Sequence, residues 1–332
     1  MHIEHLELAV EIERWPLITP FRITGHIWEF VEVLRVELRK NGHVGEGEAA
    51  GVYYRRDTPK SMSEEIERER EKIEAGLSRE TLQTLLPPGG ARNALDCALW
   101  GLEAKVMGLS AWRIAGLERP RPLLTTFTCG ADTPEKMAAT AMSYAQARAI
   151  KVKLTGEPVD AERVRAVRAA RPDVWLGVDA NQGFDRPSLD ALLPGLVDAR
   201  VSLIEQPFPV GQEGLLDGLQ SPISIAGDES VQALADIPRV AGRFSVVNIK
   251  LDKCGGLTEA LAMARAARES GMECMVGNML GSSLAMAPAF LVGQLCTLVD
   301  LDGPIFLRQD RAPSVRYVNG EIDCPEELWG SA

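Results

Sequence analysis

The chain has 332 residues, 45% of them hydrophobic and 25% charged, with a formal net charge of −11. That length suits a barrel plus an extra domain, and an acidic chain without a basic stripe speaks against a nucleic-acid or anionic-membrane partner. No apolar run approaches the ~18 residues of a membrane span, no basic n-region opens the chain as a signal peptide would, and six scattered cysteines without a CxxC read as reduced thiols of a cytoplasmic protein.

Residues 1 to about 50 read as strands, HIEHLELAVEI and then FVEVLRVELR, with NGHVG as a turn and GEGEAA after it. Between the first two, ITPFRITGHIW carries proline and glycine breakers and is expected to be a loop. From Ser61 the pattern turns helical through SEEIEREREKIEAGL, SRETLQTLL and ARNALDCALWGLEAKVMG, with Ser61 and Ser63 as candidate N-caps. Residues 1–116 therefore form an α+β unit, and GLERPRP marks its end. Strands and helices then alternate through residues 117–304. Eight candidate strands lie in LLTTFTCG, IKVKL, VWLGVDAN, VSLIEQP, ISIAGDES, SVVNIK, CMVGNM and TLVDLDGP. Residues 305–332 hold short strand-like pieces and a polar tail that is expected to return to the first domain.

The informative residues end the strands. Asp179, Glu205, Asp228 and Lys250 follow one another at 26, 23 and 22 residues. That is about one unit of a barrel that fits eight into ~250 residues, and such barrels carry their catalytic groups at the C-terminal strand ends. Any one of these acids could be a helix N-cap, Asp228 above all, with Ser230 able to cap in its place. Three converging carboxylates repel one another unless a hard cation lies between them, and oxygen ligands suit Mg²⁺. Lys151 and Lys153 lie two apart on one strand and enter the same space. Asn278 ends the seventh strand. Asp300 and Asp302 share a face beyond the eighth, although Asp-Gly-Pro is also turn chemistry. All four histidines lie in the first 43 residues, so a base inside the barrel has to be lysine, carboxylate, tyrosine or cysteine. Asp252 reads as a cap or as support for a neighbour, and Glu229 as pointing away from its neighbour Asp228 or as orienting a lysine.

Together RNALDCALW, KVK, VDAN, IEQP, DES, NIKLDKCGGLTEAL and DLDGP, over nearly the whole chain, resemble the enolase superfamily in its muconate-lactonizing branch, and within it the dipeptide epimerases. The resemblance implies an α/β fold, a (β/α)7β TIM-like barrel under an N-terminal α+β capping domain that the C-terminal tail completes. Sites of this superfamily pair a Lys or His base with Mg²⁺. It implies one Mg²⁺ per subunit on Asp179, Glu205 and Asp228. Lys153 and Lys250, on strands two and six, would be opposed bases that exchange an α-proton through an enediolate. Lys151 would be an electrostatic partner of the substrate carboxylate. Crowding by the metal and Lys151 is expected to lower the lysine pKa values. Asp300 and Asp302 would hold the α-ammonium of a dipeptide, with Asn278 also in the substrate site. Ala-Glu epimerases can place an arginine in the first capping loop. Gly25 stands there in this chain, with Arg22 nearby as a candidate and Tyr53–Arg56 as a second loop. The activity implied is epimerisation of an L,L-dipeptide, L-Ala-D/L-Glu of murein peptide metabolism first, by a cytoplasmic homo-oligomer. N-succinylamino-acid racemase, o-succinylbenzoate synthase and muconate cycloisomerase share the metal and lysine residues, but their substrates lack the free ammonium. A non-catalytic metal-binding barrel is the remote alternative.

Overall fold

The computed structural model describes residues 1–23 and 26–332. Eight short parallel strands run in chain order around one sheet: Phe127–Cys129, Ala149–Lys153, Trp175–Asp179, Leu203–Glu205, Ser224–Gly227, Val246–Ile249, Glu273–Val276 and Leu298–Val299. The Thr126 N–H donates to the Val299 carbonyl at 3.0 Å, which joins the first strand's segment to the eighth.

Strand parity sorts the side chains. Ile150, Val152, Leu176, Val178 and Ile204 belong to the main core shared with the surrounding helices. The opposite face begins with a separate apolar cluster of Leu203, Ala226, Val246 and Met275. Two residues further along the same faces stand Glu205, Asp228, Asn248 and Gly277. The barrel interior is thus layered, apolar below and polar at the C-terminal rim. The register sets Lys153 against Asp179, and Asp179 against Glu205.

The capping domain is a three-stranded antiparallel sheet of Glu7–Ile23, His26–Lys40 and His43–Ala49, laid against the helix Gly90–Met107. Gly45 and Gly47 make the close approach possible, since a Cβ on either would fall 2.0 or 2.1 Å from the carbonyl of Ala98 or Ala94. Arg92, on that helix and buried, reaches over to the barrel, donating to the Cys254 carbonyl at 2.6 Å and pairing with Glu259.

Two local expectations change. The segment expected as a loop continues the hairpin, with Phe21 opposite Trp28 and Arg22 opposite Ile27, after a register shift between Pro16 and Phe21. Its Pro20 is tolerated because this strand is at the sheet edge, where a missing N–H breaks no ladder. The first capping helix, Pro59–Arg68, is capped by Thr58, with Ser61 completing the capping box, and Ser63 lies inside the helix.

The tail touches both domains. The Arg308 N–H donates to the Pro16 carbonyl at 2.9 Å, and Arg311 pairs with Glu13 at 2.5 Å and Glu48 at 2.7 Å. The strand Arg316–Val318 pairs with Glu321–Asp323, which pairs in turn with Leu123–Leu124, beside the barrel. No helix among the described residues is long and apolar enough to cross a membrane.

Candidate active site

At the C-terminal rim, Asp179, Glu205 and Asp228 are all buried and offer carboxylate oxygens within 4.8 Å of one another. None of the three caps a following helix. Asp179 accepts from Lys153 Nζ at 2.5 Å and from the Asn181 N–H at 2.9 Å. Asp228 accepts from Lys250 Nζ at 2.6 Å on one oxygen and from Lys253 Nζ at 2.5 Å on the other. Ser230, the competing cap, donates instead to Glu213 at 2.7 Å. Glu205 accepts from Asn248 Nδ2 at 2.6 Å, while its buried Oε2 has no hydrogen-bond partner and lies 3.6 Å from Lys151 Nζ.

The charges show the strain of this arrangement. Burial, then the Asp179 charge, push Glu205 up to about 7. Burial also raises Asp228, but Lys250 and Lys253 more than reverse it and hold its carboxyl far below the usual range. A buried carboxylate pushed toward protonation, with an orphan oxygen facing two other acids, fits a divalent cation with hard oxygen ligands. Mg²⁺ matches that donor set.

Lys153 and Lys250 stand on strands two and six of eight, on opposite walls, and both line a cavity of about 280 Å³. Their side chains are 9% and 8% exposed, enough contact with the cavity and little with solvent. Lys151 lines the same cavity and pairs with Asp300. The expected lowering of the lysine pKa values is not what the side chains alone produce. Burial lowers Lys151 and Lys250, but for Lys151 the charges of Asp300, Glu205 and Asp179 win, and for Lys250 those of Asp228, Glu205 and Asp179, leaving both raised.

Asp300 and Asp302 line the cavity too, and they differ. Asp300 accepts from Lys151 and the Thr126 hydroxyl, and although burial raises it, Lys151 holds it below its ordinary value. Asp302 accepts the Thr128 N–H at 2.7 Å, with Asn278 Nδ2 at 3.5 Å, and burial followed by the Asp300 charge pushes it up to about 6. Asn278 also donates to the Asp300 carbonyl at 2.5 Å, so it braces the pair.

The capping side of the cavity carries Phe21, Trp28, Phe30, Tyr53 and Tyr54. Arg22 is not in that lining; its side chain is exposed. Side chains alternate along a strand, so turning Phe21 inward turns Arg22 out. Gly25 lies outside the described residues. Tyr53 and Tyr54 of the second loop do line the cavity, whereas Arg55 reaches away to Gln232 at 3.4 Å.

Several contributors escape a reading of strand ends. Asn248 was findable, because it lies two residues before Lys250 on the same face. Lys253 is fully buried and also donates to the Asp228 and Asn248 carbonyls at 2.6 and 3.0 Å. Glu229, expected to point elsewhere, lines the cavity. Burial, then the Asp228 charge, push it up to about 8, and Asn181 Nδ2 is its 3.4 Å neighbour.

Known proteins share this architecture. Residues 5–116 match the mandelate racemase / muconate lactonizing enzyme N-terminal domain family, and residues 135–328 match the enolase C-terminal domain-like family. The L-Ala-D/L-Glu epimerase of Escherichia coli is 39% identical over 93% of this chain and 97% of its own. An N-acetyl-D-glutamate racemase of Pseudoalteromonas is 40% identical over 74% of this chain and 78% of its own. Among solved structures, an Agrobacterium tumefaciens enolase family member with homology to dipeptide epimerases, holding sodium and L-Ala-L-Glu, superposes with a TM-score of 0.95 at 38% identity, covering 98% of this chain and 100% of the other. The Methylococcus capsulatus dipeptide epimerase complexed with Mg and L-Arg-D-Lys gives a TM-score of 0.91 at 31% identity, covering 98% and 99%. The chain therefore belongs to the mandelate racemase/muconate lactonizing group of the enolase superfamily, among its dipeptide epimerases, and is an enzyme of the epimerase/racemase class.

Proposed function

We propose that this enzyme is a Mg²⁺-dependent dipeptide epimerase that inverts the α-carbon of the second residue of an L,L-dipeptide, with L-Ala-D/L-Glu as its leading substrate. The observation that carries the reading is the pair Lys153 and Lys250 on opposite walls of one cavity whose third wall holds Asp300 and Asp302. Lys153 takes the α-proton from one face and Lys250 returns one to the other, or the reverse for the other isomer. Each lysine is held by its own carboxylate, so the two nitrogens stay fixed, one as the amine that takes the proton and the other as the ammonium that returns one, while the α-carbon flattens between them. Mg²⁺ on Asp179, Glu205 and Asp228 would supply the positive charge that an enediolate's oxygens require. Lys151, between Glu205 and Asp300, adds positive charge for the substrate carboxylate.

The dipeptide's ammonium has a partner of the right kind. Asp300 is already neutralised by Lys151. Asp302 is buried, faces the cavity and has no ion-pair partner among the described residues, so a bound ammonium would complete it. The Escherichia coli relative and the Agrobacterium complex support Ala-Glu over other dipeptides. A cytoplasmic homo-oligomer working on murein peptides is the setting that goes with this reading.

A second reading is an N-acylamino-acid racemase, favoured by the Pseudoalteromonas relative, whose name specifies an N-capped substrate. It uses the same lysines and metal ligands. The two readings part at the amino group. Losing the partner of a buried charge costs ~3–5 kcal/mol, or roughly two to four powers of ten in rate. The test compares kcat/KM for L-Ala-L-Glu with that for its N-acetyl form and for N-acetylglutamate. The free dipeptide should win by about a hundredfold or more. Equal or better turnover of a capped compound would move the enzyme to the N-acyl racemases.

A further inference from the structure

Asp252 takes no part in the chemistry proposed above, yet it is 6% exposed and sits two residues after Lys250. It lies in the one-turn helix Leu251–Cys254 that starts where the sixth strand ends, so its position is tied to that of the lysine. One of its oxygens accepts two backbone N–H groups of the capping domain, Ala50 at 2.9 Å and Gly51 at 2.8 Å. Asp252 therefore fastens a point more than 200 positions upstream.

That point is where the second capping loop begins. Gly51 has φ +78°, and a Cβ there would fall 2.3 Å from the Asp57 carbonyl, so the chain folds sharply back at this residue. The turn Tyr53–Arg55 follows, and Ala50, Gly51, Tyr53, Tyr54 and Asp57 all line the cavity. At its far end, Asp57 accepts the Gly90 N–H at 2.8 Å, which ties the loop to its own domain. A second bond to the barrel comes from Gln232, which donates to the Tyr54 hydroxyl at 2.9 Å. Asp252 is thus the only carboxylate of the barrel that holds this loop by its backbone among the described residues.

Burial, partly offset by the Gly51 N–H, pushes Asp252 up to about 7. An acid kept in so unfavourable a place contributes little to stability by its charge. Its two hydrogen bonds do something else: they set where the loop stands relative to Lys250.

We infer that Asp252 is a positioning residue, which holds the Ala50–Asp57 loop over the cavity in register with Lys250 and so shapes the pocket for the substrate's side chain. The inference rests on the epimerase reading for the nature of the substrate, but not for the tie itself. Side-chain parity cannot reveal it, because the partners of Asp252 are main-chain groups.

Asp252→Ala removes both bonds, and Asp252→Asn keeps an acceptor oxygen in the same place. In hydrogen exchange on the substrate-free protein, Ala50 and Gly51 should exchange at least tenfold faster in Asp252→Ala and near the wild-type rate in Asp252→Asn. With dipeptide, KM should rise about tenfold in Asp252→Ala while kcat falls by less, and Asp252→Asn should restore KM. Mg²⁺ affinity, read by calorimetry, should stay within about twofold, since Asp179, Glu205 and Asp228 are untouched. Should Asp252→Ala not fold, Gln232→Ala cuts the loop's side-chain bonds to the barrel, those of Tyr54 and Arg55, and should raise KM alone, by less. Unchanged amide protection in Asp252→Ala would overturn the tie. Faster exchange with unchanged KM would overturn its role in the pocket, and a fall in kcat alone would mean that Asp252 acts on Lys250 and not through the loop. If no dipeptide is turned over, the exchange result still stands or falls alone, so failure of the substrate reading stays distinguishable.

Discussion

On the barrel side of the cavity the polar groups sit on strands or within a few residues of their ends, and most are held by an opposite charge. On the capping side the lining comes from one long hairpin and one short turn, and it is mainly aromatic. Lys151, Lys153, Lys250 and Asp228 are each in an ion pair with side chains almost wholly out of solvent. Phe21, Trp28 and Tyr53 instead meet through ring contacts, Phe21 to Trp28 at 6.2 Å and Trp28 to Tyr53 at 5.4 Å. Buried ion pairs fix geometry because breaking one is costly, whereas packed rings offer a broad apolar wall that selects by area and shape. Under the proposed function, the proton transfers fall to the barrel and the choice of side chain to the cap.

The largest effect expected comes from the barrel side. Chelation should remove activity by a factor of about a thousand or more, and Mg²⁺ should restore it, because Glu205 has a buried oxygen that no side chain satisfies. Turnover by rigorously metal-free protein at the wild-type rate would show that the three acids serve only to hold the lysines.

A smaller and different effect belongs to the cap. Trp28→Ala opens the ring wall without touching a charge. It should raise KM by about tenfold and change the ranking of dipeptides by second residue, with kcat within a few-fold. A loss confined to kcat, with the ranking intact, would break the division between the two sides.

The same division explains what could be read in advance. The barrel was legible because a strand's period of two converts sequence position into direction: once VDAN, IEQ and GDE each end an apolar run, Asp179, Glu205 and Asp228 have to point inward at one level. The lysine pair followed in the same way from Ile150 and Val152, which pack outward. The cap was less legible. Pro20 read as a breaker, but an edge strand tolerates it, and the strand that continues past it turns Phe21 toward the cavity and Arg22 away from it. Lys253 carries no signal of its role in the sequence, yet it lies fully buried on three oxygens. Thr58 outcompetes Ser61 and Ser63 as a cap because Pro59 follows it and starts the helix. Asp252 gave no sign of its partners, because backbone N–H groups carry no residue signature.

The central claim is that two lysines on opposite walls serve opposite faces of one α-carbon. The direct measurement follows solvent deuterium into L-Ala-L-Glu and L-Ala-D-Glu with Mg²⁺ present, for wild type, Lys153→Ala and Lys250→Ala. General acid–base groups contribute about 10²- to 10⁴-fold each, so both variants should lose epimerisation by at least the lower figure. Each should keep α-proton exchange from one isomer only, and the two variants should keep it from opposite isomers. Epimerisation by either variant near the wild-type rate, or residual exchange from the same isomer in both, would contradict the assignment.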